Sequence, residues 1–350
     1  MRKWEANIRR VAPYVPGEQP KGSDLIKLNT NENPYSPAPG VREALARMDW
    51  EQLRKYPDPS ASVLTKALSE YYQVGEDQVF PGIGSDDVIA MAFMTFFNSE
   101  KPVLFPDISY SFYEVWADLF KIPYKTPALD GDFRIRKEDY YRENGGIIFP
   151  NPNAPTGVLT PLNEIEDIVA CNQDSVVIID EAYIDFGGES ALKLVEKYEN
   201  LLVVQTFSKS RSMAGMRIGY AIGHRDLIKA LNDVKYSYNS YTINAPSLTL
   251  GVEAVQDDEY FKETLHKIVN TRERAKERLA ELGFSFPDSM ANFIFATHKD
   301  RKAEEIYLAL RENNIFVRYF KKPGLDNYLR ISIGTDEEME KLYCFLKEIL

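Results

Sequence analysis

The sequence predicts an α/β fold: a mainly parallel central sheet with covering helices, plus a smaller α/β C-terminal domain. From about residue 79 to residue 223, short apolar runs alternate with helical patterns. This alternation is typical of parallel strands joined by helices that cover the sheet. The apolar runs are residues 103–105, 147–149, 176–179, 201–206 and 218–222.

The C-terminal part shows a second alternation. A charge-rich helical pattern over residues 257–282 leads out of the first domain. Short strands are then predicted at 292–296, 315–318 and 328–333, with a helix near 302–313. Thr335 and Glu338 form a capping-box sequence that begins the last helix. These patterns predict a large domain over 35–255 and a small domain over 256–350.

Composition narrows the class of protein. The chain has 350 residues, 44% hydrophobic residues and a net charge of −11, which argues against nucleic acid or anionic membrane as a partner. No apolar stretch is long enough for a membrane span, and the N-terminal residues lack the apolar core of a signal peptide. Two cysteines fit a reducing cytoplasm, and the three scattered histidines predict no metal site.

Lys209 is the most informative single residue. It follows the apolar run 201–206 in the order Thr206-Phe207-Ser208-Lys209. Because lysine is costly to bury, one held at the mouth of a buried strand is a candidate Schiff-base nucleophile. The flanking hydroxyls and Arg217 are groups that a phosphate requires nearby. The combination indicates pyridoxal phosphate (PLP); taken alone, a surface lysine in a strand-to-loop turn is the alternative.

Asp180 lies at the carboxyl end of the run 176–179, where ligands of open α/β sheets bind. An aspartate there can hold the pyridine nitrogen of PLP protonated, and Tyr183 could reach the ring's phenolic oxygen. For Asp180 alone, the alternative is a helix cap or a turn residue.

Three further turns carry candidate contacts to the same ligand. Gly84, Ser85 and Asp86 begin an apolar helical stretch, and helix N-termini bind phosphate. Tyr110 follows the run 103–105 and could stack on a flat ring. Asparagines in the turn 151–157 could donate to a ring oxygen, although such residues also favour ordinary turns.

Together these segments resemble the fold-type-I PLP enzymes of the class I/II aminotransferase superfamily over nearly the whole chain. The motifs that carry the resemblance are Gly84-Ser85-Asp86, Tyr110, the turn 151–157, Asp180-Glu181-Ala182-Tyr183, Ser208-Lys209, Arg217 and Arg330. A closer resemblance, to histidinol-phosphate aminotransferases, rests on residues 13–17, 28–34, 56–58, Arg318 and 329–335. Aromatic-amino-acid aminotransferases and a threonine-phosphate decarboxylase share much of that closer pattern.

The resemblance implies roles for individual residues. Lys209, Asp180 and Tyr183 are the expected catalytic residues, and PLP is the expected cofactor. The expected cofactor contacts are Ser85, Asp86, Tyr110, Asn153, Asp180, Tyr183, Thr206, Ser208, Lys209, Arg217 and, from a neighbouring subunit, Tyr56. The expected substrate contacts are Tyr14, Glu32, Arg318 and Arg330.

The same resemblance implies a cytoplasmic homodimer with shared active sites, in which an N-terminal arm, residues 1–34, packs with the small domain. The expected reaction is transamination of L-histidinol phosphate with 2-oxoglutarate in histidine biosynthesis. The alternatives are an aromatic-amino-acid aminotransferase, which would use the same arginines for carboxylates, and a PLP-dependent decarboxylase or lyase.

One position departs from the superfamily pattern. The usual turn is Asn-Asn-Pro-Thr-Gly, and its second asparagine contacts the phenolic oxygen of the cofactor. This chain has Ala154 at that position. Either Asn153 substitutes for the missing amide, or Tyr183 makes the contact alone.

Overall fold

A computed structural model describes residues 2–22 and 24–350. It contains two β-sheets. The strands are β1 Ile26–Leu28, β2 Val79–Gly82, β3 Val103–Leu104, β4 Tyr124–Lys125, β5 Gly146–Pro150, β6 Val177–Asp180, β7 Leu201–Thr206, β8 Gly219–Gly223, β9 Phe284–Ser285, β10 Phe293–His298, β11 Ile315–Tyr319 and β12 Leu329–Ser332. The helices are α1 Pro39–Ala46, α2 Ser62–Tyr72, α3 Gly84–Phe96, α4 Phe112–Phe120, α5 Leu162–Ala170, α6 Arg225–Tyr238, α7 Ala245–Gln256, α8 Asp258–Glu281, α9 Ala303–Glu312 and α10 Asp336–Ile349.

The larger sheet has seven strands in the order β2-β8-β7-β6-β5-β3-β4. Its five strands from β7 to β4 are parallel, and β8 runs antiparallel to both of its neighbours. The predicted mainly parallel sheet with covering helices is therefore confirmed. The strands β2 and β4, at the two edges, were not among the predicted runs; β2 contains Pro81 and Gly82, which weaken a strand pattern.

The central strands are buried on both faces, as expected for parallel strands under helices. Alternate residues of each strand point to opposite faces, so Phe149 and Ile179 join one apolar cluster while Ile148 and Ile178 join the other. Burial of each such side chain contributes about 1.5–3 kcal/mol. The two clusters hold the sheet rigid and so fix the direction of its carboxyl-end residues.

The smaller sheet has five strands in the order β1-β11-β12-β10-β9. Its four C-terminal strands are antiparallel to their neighbours, while β1 pairs in parallel with β11 through Leu28 and Val317. Helices α8, α9 and α10 contribute to the apolar cluster of this sheet. Residues that follow β1 therefore lie beside the C-terminal sheet although they come from the beginning of the chain.

The three helices predicted in the C-terminal part are present close to their predicted boundaries. The helix predicted over 257–282 is α8, and the one predicted near 302–313 is α9. Thr335 accepts from the Glu338 amide at 3.3 Å, and Glu338 accepts from the Thr335 amide at 2.8 Å, which is the predicted capping box of α10. Within the described residues, no helix is both long and apolar enough to cross a membrane.

Candidate active site

A cavity of about 540 Å³ lies between the two sheets. It is lined by the segment before and after β1, by carboxyl-end residues of the large sheet, and by β11 and β12. Most of the predicted site residues line this one cavity. They are Tyr14, Ser85, Asp86, Tyr110, Asp180, Tyr183, Thr206, Ser208, Lys209, Arg217, Arg318 and Arg330.

Lys209 enters the cavity just beyond the end of β7. Its Nζ donates to the carbonyl of Thr30 at 3.1 Å and lies 5.6 Å from the ring centroid of Tyr183. The amine thus has a hydrogen-bond acceptor and an aromatic neighbour but no carboxylate within ion-pair distance among the described residues. Such an amine can serve as a nucleophile and as a proton carrier.

Asp180 ends β6 at the bottom of the cavity and is buried. Its Oδ2 accepts from the Tyr113 hydroxyl at 2.8 Å and its Oδ1 from the Ala182 amide at 3.2 Å. Burial raises the pKa of Asp180 to about 6, although both hydrogen bonds favour the carboxylate. A positively charged group placed against Asp180 would therefore gain a buried counter-ion.

A candidate anion site lies at the N-terminus of α3. Gly84 begins this helix with φ +80°, and a Cβ on Gly84 would meet Nη2 of Arg217 at 2.7 Å. Arg217 lies 3.5 Å from both Ser208 Oγ and Asp86 Oδ2, and the Thr206 hydroxyl donates to Ser208 at 3.0 Å. Free amides, hydroxyls and a guanidinium around one space are the groups that bind phosphate.

Aromatic rings form one wall of the cavity. Tyr14 stacks on Phe112 with centroids 4.1 Å apart and tilts toward Tyr110 at 6.3 Å. The Tyr110 hydroxyl donates to Asp86 at 2.8 Å, and burial raises the pKa of Tyr110 well above its usual value. Flat apolar groups of a ligand can be bound against this wall.

Two arginines also line the cavity. Arg318 donates to the carbonyls of Val15 and Pro16 at 3.2 and 3.3 Å, and Arg330 donates to the Asn29 carbonyl at 3.0 Å. The Nε of Arg330 is buried without a hydrogen-bond partner among the described residues. Burial lowers the pKa of Arg330 from its usual value. Both guanidinium groups are therefore available to an anionic ligand.

Three predicted site residues do not line the cavity. The Asn153 amide nitrogen donates to the Ile108 carbonyl and to Thr156, each at 3.0 Å, so it serves the turn itself. Glu32 accepts from Thr30 at 2.7 Å and pairs with Lys27. Tyr56 is 81% exposed and stacks on Tyr241 outside the cavity.

The structure adds contacts that the sequence did not indicate. Tyr113 supports Asp180, Phe112 supports Tyr14, and Asn31 donates to the Tyr183 hydroxyl at 2.9 Å. Tyr113 lies three residues after Tyr110, in the first turn of α4, but a chain with 21 tyrosines offers no way to single it out. Among the described residues, no group of three or more His, Cys, Asp or Glu side chains is arranged to hold a metal ion.

A lysine and an aspartate at adjacent strand ends, beside an anion site at a helix N-terminus, define a PLP-dependent transferase of this α/β fold. The family model for aminotransferase class I and II matches residues 23–345. The chain belongs to the class I and II aminotransferase family.

The names of individual relatives are more specific than the description of the family. The chain is 53% identical to histidinol-phosphate aminotransferase 1 of Hydrogenovibrio crunogenus, covering 99% of this chain and 98% of that protein. It is 52% identical to the histidinol-phosphate aminotransferase of Brachyspira hyodysenteriae, covering 95% and 94%. The crystal structure of histidinol-phosphate aminotransferase from Sinorhizobium meliloti in complex with pyridoxal-5'-phosphate has a TM-score of 0.83 at 23% identity, covering 92% and 91%.

Proposed function

We propose that this protein is a PLP-dependent aminotransferase that converts L-histidinol phosphate and 2-oxoglutarate to imidazole-acetol phosphate and glutamate, a step of histidine biosynthesis. The observation that carries the proposal is one cavity lined by Lys209, Asp180, Arg318 and Arg330 together. Relatives about half identical over the whole chain carry the corresponding name.

The residues present fit PLP. The space between the N-terminus of α3 and Arg217 suits the cofactor phosphate, with Ser85, Thr206 and Ser208 around it. A Cβ at Gly84 would occupy part of that space. Bound PLP supplies an electron sink that stabilises negative charge at the substrate carbon.

The roles assigned to the chain's own residues follow from their positions. Lys209 Nζ would hold the cofactor and, when its amine is free, would accept and return a proton at the substrate carbon. The Asp180 carboxylate, held in place by Tyr113, would face the pyridine nitrogen and keep that nitrogen protonated. Tyr183 would donate to the phenolic oxygen of the ring.

Arg318 and Arg330 supply the charge that selects the substrate. Two guanidinium groups can bind a dianionic phosphate through two forks, whereas one carboxylate needs one fork. The ring wall of Tyr14 and Phe112 suits an imidazole, and it also suits a phenyl ring. For that reason an aromatic-amino-acid aminotransferase is the second candidate.

A homodimer in the cytoplasm completes the proposal. Several large aromatic side chains are exposed: Tyr56, which stacks on Tyr241, Trp50 at 71% and Tyr238 at 70%. Exposed aromatic clusters of this kind mark interaction surfaces. In this proposal Tyr56 contributes to the cofactor phosphate site of a second copy; its exposure and its position outside the cavity of its own chain support that role.

The test is a substrate panel with purified protein. Glutamate formation from 2-oxoglutarate is followed with L-histidinol phosphate, L-histidinol and phenylalanine as amino donors. We expect ping-pong kinetics and the highest kcat/KM for L-histidinol phosphate. A preference for phenylalanine would favour the second candidate, and release of carbon dioxide without glutamate would favour a decarboxylase.

A further inference from the structure

Asn31 is held by four hydrogen bonds just after β1. Its backbone N–H donates to Ser332 Oγ at 2.9 Å, and its side-chain Oδ1 accepts from the same hydroxyl at 2.8 Å. Its backbone carbonyl accepts from the Asn292 side chain at 3.0 Å. The fourth bond runs from its Nδ2 to the Tyr183 hydroxyl at 2.9 Å. Asn31 is 1% exposed, so water does not compete for these hydrogen bonds.

Asn31 is also the one side chain of the described residues that hydrogen-bonds the Tyr183 hydroxyl. The adjoining turn presents the methyl group of Ala154, which lies in the same apolar cluster as Tyr183 and cannot donate. Asn153 cannot substitute, because its amide protons are used by Ile108 and Thr156. The hydrogen-bond donor next to Tyr183 is therefore Asn31, from the segment after β1, and not an asparagine of the turn 151–157.

We propose that Asn31 is a positioning residue that directs the proton of the Tyr183 hydroxyl toward the phenolic oxygen of PLP. This inference rests on the proposed function. A phenol has one proton and two acceptor positions, so the bond received from Asn31 leaves the Tyr183 proton for another acceptor. A hydroxyl that accepts a hydrogen bond also becomes a stronger donor.

The backbone at Asn31 provides matched variants. Its φ of +57° lies in the left-handed region, which glycine, asparagine and aspartate tolerate better than other residues. Asn31→Gly removes the donor, and Asn31→Asp replaces it with an acceptor of the same shape. Asn314 has φ +59° at an exposed position outside the cavity, so Asn314→Gly is the control for the glycine backbone.

The experiment measures cofactor affinity and spectrum. PLP is removed from the purified holoenzyme and titrated back into wild type, Asn31→Gly, Asn31→Asp and Asn314→Gly, each with Tyr183 and with Tyr183→Phe. We expect both Asn31 variants to raise the PLP dissociation constant about 2- to 12-fold, the range for one hydrogen bond. Asn31→Gly should also raise the pH at which the visible band of bound PLP titrates. Asn314→Gly should leave both unchanged.

The Tyr183→Phe background decides whether the effect passes through the hydroxyl. There, the Asn31 variants should change PLP affinity by less than about 2-fold. An equal loss in both backgrounds would overturn the proposal, because Asn31 would then act only through the fold. An unchanged dissociation constant in a wild-type background that binds PLP and transaminates would also overturn it while leaving the proposed function intact. Failure of wild type to bind PLP would overturn both.

Discussion

Arg318 and Arg330 lie directly opposite each other on the antiparallel strands β11 and β12. Their guanidinium carbons lie 5.5 and 5.7 Å from the centroid of the same ring, Phe320. Among residues 2–22 and 24–350, no carboxylate forms an ion pair with either arginine. Two positive charges held close together without a counter-ion repel each other, so a bound dianion would stabilise the folded protein.

Lys209→Ala should abolish turnover and the visible absorbance of covalently bound PLP. The amine is the proposed nucleophile; it lines the cavity and donates to the Thr30 carbonyl. Circular dichroism and the melting temperature of the cofactor-free protein should stay close to wild type. A variant that transaminates at the wild-type rate would show that another amine carries the cofactor.

Asp180→Asn keeps the shape of the side chain but removes the charge that is proposed to face the ring nitrogen. We expect kcat to fall by at least ~100-fold, on the order of 3 kcal/mol of transition-state stabilisation. Tyr113→Phe, which removes one hydrogen bond to Asp180, should cost less, about 2- to 12-fold. A near-normal kcat for Asp180→Asn would mean that a different residue faces the ring nitrogen.

Tyr56→Phe should weaken PLP retention about 10-fold, because the hydroxyl is proposed to reach the phosphate of a second copy. Tyr238→Phe, an equally conservative change at another exposed tyrosine outside the cavity, is the matched control and should retain PLP normally. Gel filtration across a dilution series gives the oligomeric state in parallel. A fully active monomer would refute the shared site.

Glu181 should make stability depend on pH. It is buried behind Asp180 and accepts from Ser190, the Ala191 amide and Gln205 at 2.5, 2.6 and 2.8 Å. Burial raises the pKa of Glu181 to about 7 from 4.5, so the folded state binds its proton more tightly than the unfolded state does. This contribution to the free energy of unfolding is complete below about pH 4.5 and is lost as pH rises to about 7.

The pKa difference corresponds to at most about 3 kcal/mol. Urea unfolding of wild type and Glu181→Gln at a series of pH values from 4.5 to 8, with saturating PLP, measures it. The free energy of unfolding of wild type minus that of Glu181→Gln should decrease steadily as pH rises toward 7. A constant difference would show that Glu181 does not titrate in this range.

The sequence predicted the central sheet well because parallel strands buried on both faces are continuous apolar runs, as in 147–149 and 201–206. Lys209 and Asp180 were predicted because each places a polar group immediately after such a run. The partners of these residues could not be predicted: Tyr113 meets Asp180, and Asn31 meets Tyr183, across 67 and 152 residues of sequence. Only tertiary packing determines such contacts.

Two predicted site residues, Asn153 and Glu32, make local contacts outside the cavity, and these contacts also could not be predicted from the sequence. The sequence left Asn153 as a possible donor to the cofactor, but its amide closes the turn with Thr156. It predicted Glu32 over the substrate; in the structure that carboxylate pairs with Lys27 of β1. Local hydrogen bonds of this kind depend on side-chain directions that a residue pattern does not contain.

The most direct test is the ratio of kcat/KM for L-histidinol phosphate to kcat/KM for phenylalanine, measured in wild type and in Arg318→Ala. Charge-assisted hydrogen bonds contribute roughly 1.5–3 kcal/mol each, so the loss of one fork should cost about 10- to 150-fold with the phosphorylated substrate. We predict that wild type prefers L-histidinol phosphate and that Arg318→Ala reduces the ratio by about that factor. Equal losses with both substrates, or a wild type that prefers phenylalanine, would contradict the assignment of this pocket to a phosphate.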